Sequence, residues 1–271
     1  MILNEHQEGT EAFRAGRLDD AERLFRAALP TEPLALNDLA AVYVLQGRHA
    51  AAWPLLLRAL EAAPASAKAR YNLSMLLLAQ QRFELGWLLH EARRLVPELG
   101  ILRPDLPFPE WRGEPLGGRH VVVFGEQGFG DQIMFSRYIP LLEERGASVT
   151  FVCAEPLAPL MPGGASAIRR DIQADYWSLV CTLPLRLGPA ADPFPPPLQV
   201  PVRRGSGGGV GVVARGRPTH MNDGHRSLGG EDAERLLSWG RDLSPESTGA
   251  KDFLDTARIV ADLDLVVTVD T

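Results

Sequence analysis

Cysteine is almost missing from this sequence. The two present, Cys153 and Cys181, lie far apart in a chain of 271 residues, so they form neither a disulfide framework nor a paired metal-ligand motif. Both read as small buried apolar residues. No apolar run reaches membrane-spanning length, which excludes a transmembrane segment. The N-terminus is charged and helical in pattern rather than built as a signal peptide, so the expected location is the cytoplasm. An excess of basic charge is also lacking. The formal net charge is −6, which argues against a general partner of nucleic acid or of anionic membranes and leaves room only for a local basic pocket.

Familiar catalytic signatures are missing too. The glycines at 125, 128 and 130 run GxxGxG, which is not the order of the dinucleotide fingerprint, and no Lys-Ser/Thr follows as in a P-loop. A dehydrogenase or an ATPase therefore fits poorly. There is no GxSxG serine elbow, and the six histidines form no HExxH or similar metal set.

What is present is a globular composition, 45% apolar, on a length that suits about two domains. The first hundred residues repeat. AFRAGRLDDAERLFRAALPTEP (12–33) aligns with VYVLQGRHAAAWPLLLRALEAAP (42–64) at an offset of 31: Gly16 on Gly47, Arg17 on Arg48, Ala21 on Ala52, Phe25 on Leu56, Ala28 on Ala59 and Pro33 on Pro64. A third copy, 71–97, follows at an offset of 34, with Arg82 on Arg48, Trp87 on Trp53 and His90 replacing a core-type residue. Each copy reads as two helices. Ala21, Ala52 and Gly86 mark the helix crossing, Phe25 and Leu56 fill it, and Pro33, Pro64 and Pro97 end the second helix. His90 reads as a packed or capping histidine. The pattern resembles the tetratricopeptide repeat, a unit of about 34 residues. Its first-helix aromatic is weakly kept, with Ala12, Tyr43 and Leu77 in equivalent places. Three such units form either a concave surface for a protein or peptide, or a rigid brace.

Residues 98–118 are rich in Pro and Gly and read as a linker, with Trp111 expected to plug the joint between repeats and sheet. An α/β pattern then takes over. VVVF (121–124) reads as a buried strand, 125–131 as a glycine turn, and Gln132 to Arg145 as a helix closed by Gly146. A second strand is expected at 148–153, a short helix at 156–161, a third strand over 167–172, and a strand or short buried segment at 176–188. RRGSGGG (203–209) reads as a flexible hinge. After it come a strand at 210–214, a polar loop at 215–227, helices at 231–239 and 250–263, and a strand at 264–271. Strand–helix alternation implies parallel sheets. A strand ending in Asp-Thr ordinarily leads into a helix, so the last lobe is expected to be incomplete.

Within the glycine turn, free N–H groups at a helix start and close backbone approach suit a bound ligand. Asp131, at that helix start, is either the functional carboxylate or the helix cap.

Three stretches together, 111–142, 210–227 and 248–271, following the repeats, resemble bacterial repeat proteins fused to a heptosyltransferase-like domain of glycosyltransferase family 9. The resemblance implies helical repeats (1–97), a linker (98–118), an N-terminal Rossmann-like lobe (119–203) and a truncated C-terminal one (204–271), an α + α/β arrangement of GT-B type. It implies an inverting, metal-independent transfer of a hexosyl- or heptosyl-type sugar from a nucleotide-diphosphate donor, with no cofactor. The implied partners are that donor and a protein or glycan acceptor positioned through the repeats. Asp131 matches the family's proposed general base, and Gln127, Gly128 and Gly130 would line the acceptor side. Arg226 matches the residue that neutralises the donor diphosphate. His220 and Asn222 belong to its polar loop, and Asp270 and Thr271 open its diphosphate-binding helix. The chain departs from the pattern at Ala214, where relatives carry Trp, and at Arg215 and Arg217. The family's later His and helix N-terminus do not follow Thr271. The alternative is a non-catalytic scaffold or peptide-binding repeat protein with a degenerate transferase domain.

Overall fold

A computed structural model describes residues 4–161, 163–165, 172–188, 194–197, 199–200, 202–203, 205, 207–216 and 223–269. The chain divides into two compact units, Met1–Leu102 and Arg103–Thr271. The first is helical and the second carries parallel sheets with helices.

In the first unit α1 (Glu5–Arg14) packs on α2 (Leu18–Ala28), α3 (Ala35–Leu45) on α4 (His49–Ala62), and α5 (Ala67–Ala79) on α6 (Phe83–His90). The third pair ends in a tighter 3-10 turn, Glu91–Leu95. The reason for the pairing is visible at the crossings. Ala21 and Ala52 are fully buried, and a Cβ on Gly86 would lie 2.7 Å from a Leu78 methyl. Phe25 and Leu56 fill the adjoining space. Each pair turns the same way: Arg17 N–H reaches Ala12 C=O, Arg48 N–H reaches Tyr43 C=O and Arg82 N–H reaches Leu77 C=O, at 2.9, 2.7 and 2.9 Å. This six-to-one bond closes a helix through a left-handed residue, and that residue is Gly16, Gly47 and then Gln81.

Polar side chains tie the leading helices of the three pairs. His6 Nε2 lies 2.8 Å from Asp38 Oδ2, Asn37 donates to Asp38 Oδ1 at 3.0 Å, and Asn72 donates to Asn37 Oδ1 at 2.9 Å. A second group surrounds Tyr43, whose hydroxyl donates to Glu22 while Arg48 bonds Glu22 and stacks over the ring.

The second unit opens with a stretch that joins the first sheet directly. Trp111 is buried, its N–H donates to Trp177 C=O, and its indole N–H donates to Glu114 C=O. The sheet comprises β1 (His120–Phe124), β2 (Ser148–Val152), β3 (Gly164–Ala165) and β4 (Tyr176–Leu179), all parallel, in spatial order β3-β2-β1-β4. Val121 pairs with Val149 on one side and Tyr176 on the other. Central β1 is covered on both faces, and Val121, Val122 and Val123 are fully buried, the usual state of a parallel strand.

The helix expected over 132–145 is two helices, α7 (Phe129–Ser136) and α8 (Ile139–Glu144). Pro140 has no N–H to give the Ser136 carbonyl, so the helix restarts there. The region 156–161 holds only a 3-10 turn, Glu155–Leu157. Strand β3 is the two-residue Gly164–Ala165, and of the expected 167–172, residues 167–171 lie outside the described residues. After β4 the chain forms a 3-10 turn, Val180–Thr182, and α9 (Leu183–Leu187).

The second sheet contains β5 (Val210–Val213), β6 (Arg241–Asp242) and β7 (Leu265–Thr268), parallel, in order β6-β5-β7. Around it lie α10 (Asp223–Arg226), α11 (Gly230–Leu237), α12 (Pro245–Thr248) and α13 (Phe253–Ala261). The glycine-rich stretch before β5 is held rather than loose at its described residues. Gly207 N–H donates to Asp262 and Gly209 N–H to Asp264, at 3.0 and 2.9 Å. Among the described residues no helix is long and apolar enough to cross a membrane.

Candidate functional site

The chain leaves β1 toward β2 and β3, then returns on the other side of β1 as β4. Strand order therefore reverses between β1 and β4, and the crevice beyond the carboxyl ends of those strands is where open parallel sheets hold ligands. The glycine turn lies at that place. Gly125 N–H continues the ladder to Val152 C=O at 2.7 Å. Two buried polar side chains then pin the turn from both sides. Glu126 Oε1 accepts the Cys181 N–H at 3.0 Å, reaching the segment after β4. Gln132 Oε1 accepts the Ala154 N–H at 2.9 Å, reaching the segment after β2.

Between these pins Gln127, Gly128, Phe129 and Gly130 are exposed. Gln127 stands in the left-handed region at φ 60°, an unusual position for a residue with a side chain. Asp131 is half-buried in the first turn of α7, and its Oδ2 accepts the Gly128 N–H at 3.0 Å. That bond is a helix-cap bond. A Cβ added to Gly130 would meet nothing within 4 Å, so the turn opens onto free space there. The first N–H groups of α7 have no partner inside the helix and lie at its positive end.

Phe129 packs edge-on against Phe253, ring centres 5.2 Å apart. Phe253 is the first residue of α13, whose start is capped by Asp252 accepting the Asp255 N–H at 2.9 Å. Two helix N-termini thus meet at the glycine turn.

Arg226 ends α10, beyond the carboxyl end of β5, and is half-buried. Its loop is anchored by Leu228 N–H to Ala214 C=O at 2.9 Å, and by Ser227, which accepts from Gly216 N–H and donates to Asp223 at 2.7 and 2.6 Å. The structure therefore gathers Gln127, Gly128, Gly130 and Asp131 in one turn and puts Arg226 on the second sheet. His220, Asn222, Asp270 and Thr271 lie outside the described residues. Sequence reasoning passed over Glu126, Gln132 and Phe253. A glutamate inside a glycine turn was the available signal for the first, but its partner is a backbone N–H 55 residues away.

Both cysteines are free and buried, and burial pushes the Cys153 thiol up, away from the reactive thiolate. Among the described residues no group of three or more His, Cys, Asp or Glu is placed to hold a metal ion.

No family model matches the chain. Among curated proteins it is similar to Protein FlbA of Caulobacter vibrioides, 27% identical over 144 residues, covering 44% of this chain and 24% of that protein. Among solved structures it is similar to a mutant form of the Thermobaculum terrenum O-GlcNAc transferase, with 19% identity and a TM-score of 0.32, covering 54% of this chain and 36% of that one. The chain thus spans about a quarter of the length of the curated relative and about a third of the solved one.

Proposed function

We propose that the second unit is the catalytic part of a glycosyltransferase of GT-B type, akin to the heptosyltransferase-like family 9, with tetratricopeptide-type repeats that position a protein or glycan acceptor. The observation that carries this reading is the glycine turn at the β1/β4 reversal: rigidly pinned by Glu126 and Gln132, open above Gly130, and bearing Asp131 at its end. In this reading the donor is a nucleotide-diphosphate sugar and the transfer is inverting and metal-independent. Asp131 takes the proton of the acceptor hydroxyl as its oxygen bonds the anomeric carbon. The bond from that carbon to the diphosphate breaks, and the departing charge is met by Arg226 and by helix N-termini. His220, Asn222, Asp270 and Thr271 are assigned to the donor and acceptor contacts by resemblance alone. The polar chain of His6, Asp38, Asn37 and Asn72 supplies hydrogen-bonding groups on the leading helices of the repeats.

A second reading, a binding scaffold without catalysis, is favoured by one observation. Asp131 already spends one carboxylate oxygen on the Gly128 N–H. The two readings separate on Asp131→Asn, which keeps an oxygen for the cap and cannot take a proton. The transferase reading expects the transfer rate to fall on the order of a hundredfold or more, with thermal stability little changed. An unchanged rate overturns the base assignment.

A further inference from the structure

The end of the second sheet away from Arg226 holds a different feature. There the segment entering β5, the first residue of β6 and the last turn of α13 surround a cavity of about 390 Å³. Its wall carries Arg203, Arg241 and Arg258, one from each segment, with Asp262 and the apolar Val202 and Ile259 between them. Because the strands are parallel, this is the amino edge of the sheet, and Ala214 and Arg226 stand at its carboxyl edge.

Three arginines converging from separate segments repel one another, so an anion in their midst relieves a cost that the folded chain otherwise bears. No salt bridge joins the carboxylate in the wall to them among the described residues. Asp262 Oδ1 accepts the Gly207 N–H at 3.0 Å, and the lack of a Cβ on Gly205 and Gly207 is what lets the backbone close over it. Arg258 bonds Asp255 at 3.1 Å on the helix surface. Arg203 and Arg241 are exposed and have no carboxylate partner among the described residues. In a chain of net charge −6, this leaves a basic pocket whose two guanidinium groups are ready to form forked bonds.

We propose that this cavity binds a small phosphate-bearing anion, at a site separate from the cleft assigned to glycosyl transfer. Planar guanidinium groups match phosphate oxygens two at a time, which favours a phosphoryl group over a halide or a single carboxylate. The volume is at the small end for ligand pockets, and only Val202 and Ile259 offer apolar cover, so recognition falls on the phosphate rather than on an attached base. A pyrophosphate unit offers oxygens to more than one guanidinium group.

The probe is inorganic pyrophosphate, titrated calorimetrically into the whole chain at low ionic strength. Every titration is made in the Arg226→Ala background, which removes the diphosphate contact assigned to the carboxyl edge, with and without Arg203→Gln and Arg241→Gln together. Saturable binding in that background, weakened tenfold or more by the double change, is the expected result. Absence of saturable binding overturns the proposal, as does binding that the added double change leaves unchanged while the circular dichroism of the two chains matches. The transferase reading is untouched by any of these outcomes, because its own test is the Asp131→Asn rate.

Discussion

Gln81 sits at φ 59° where the two preceding repeats have Gly16 and Gly47, at φ 73° and 71°. All three close a helix with the same bond, so the backbone demand is one and the same while the third copy meets it with a side chain. A left-handed residue with a Cβ is strained, and the greater freedom of glycine in the unfolded chain offsets only part of the relief. Gln81→Gly is therefore expected to stabilise the chain by about 0.5–1 kcal/mol, read as a higher urea midpoint at unchanged slope. A lower midpoint contradicts it. His90 is the other departure of that copy, standing where Phe25 and Leu56 pack. It is buried against Tyr71 and Trp87, and burial, helped by the nearby Arg93 guanidinium, lowers its pKa to about 3. Its folded pKa lies below the unfolded value near 6.5, so above that pH both states are neutral and nothing is lost. Between about pH 6.5 and 3 the unfolded chain binds a proton that the folded chain refuses, and stability falls as pH falls. The slope attributable to one such group approaches about 1.4 kcal/mol per pH unit. His90→Leu, matching Leu56, is expected to flatten that part of a urea-midpoint profile; an identical profile refutes the assignment.

At the level of elements, the three helix pairs and the β1–turn–α7 unit were legible because each is encoded locally. Small residues, apolar spacing and glycine positions lie within one or two turns of what they determine. Pro140 was equally visible, yet the apolar spacing across 133–142 reads through it, and the split into α7 and α8 follows from one missing N–H. The two-residue β6 escaped because it has no period of its own. Its strand character comes from Gly211 and Val212, against which Arg241 and Asp242 register. The Glu126 and Gln132 pins were illegible for the same reason, since both partners are distant backbone N–H groups. The start of α7 offers a clean separation of stability from function. A methyl at Gly130 meets no protein atom, and alanine suits a helix better than glycine. Gly130→Ala is thus expected to keep or slightly raise the melting temperature while weakening acceptor use severalfold or more, seen as a higher KM in a transfer assay. Unaltered kinetics would remove the turn from the acceptor side.

On the scale of the whole molecule, a helical first unit and a second unit of two parallel sheets follow from a change of period, from helix pairs to alternating strands and helices, that the sequence displays plainly. Less plain was the charge layout. An overall charge of −6 conceals arginines gathered at one edge of the second sheet, with Arg226 on the other. The central claim is that the carboxyl-edge cleft takes a nucleotide-diphosphate donor. Its most direct test is calorimetric titration of ADP, UDP and GDP into the Arg203→Gln, Arg241→Gln background, which silences the amino-edge pocket, with and without Arg226→Ala. The account predicts saturable binding of one nucleotide in preference to the others, weakened tenfold or more by the Arg226 change. No binding of any of the three, or binding indifferent to Arg226, would contradict it.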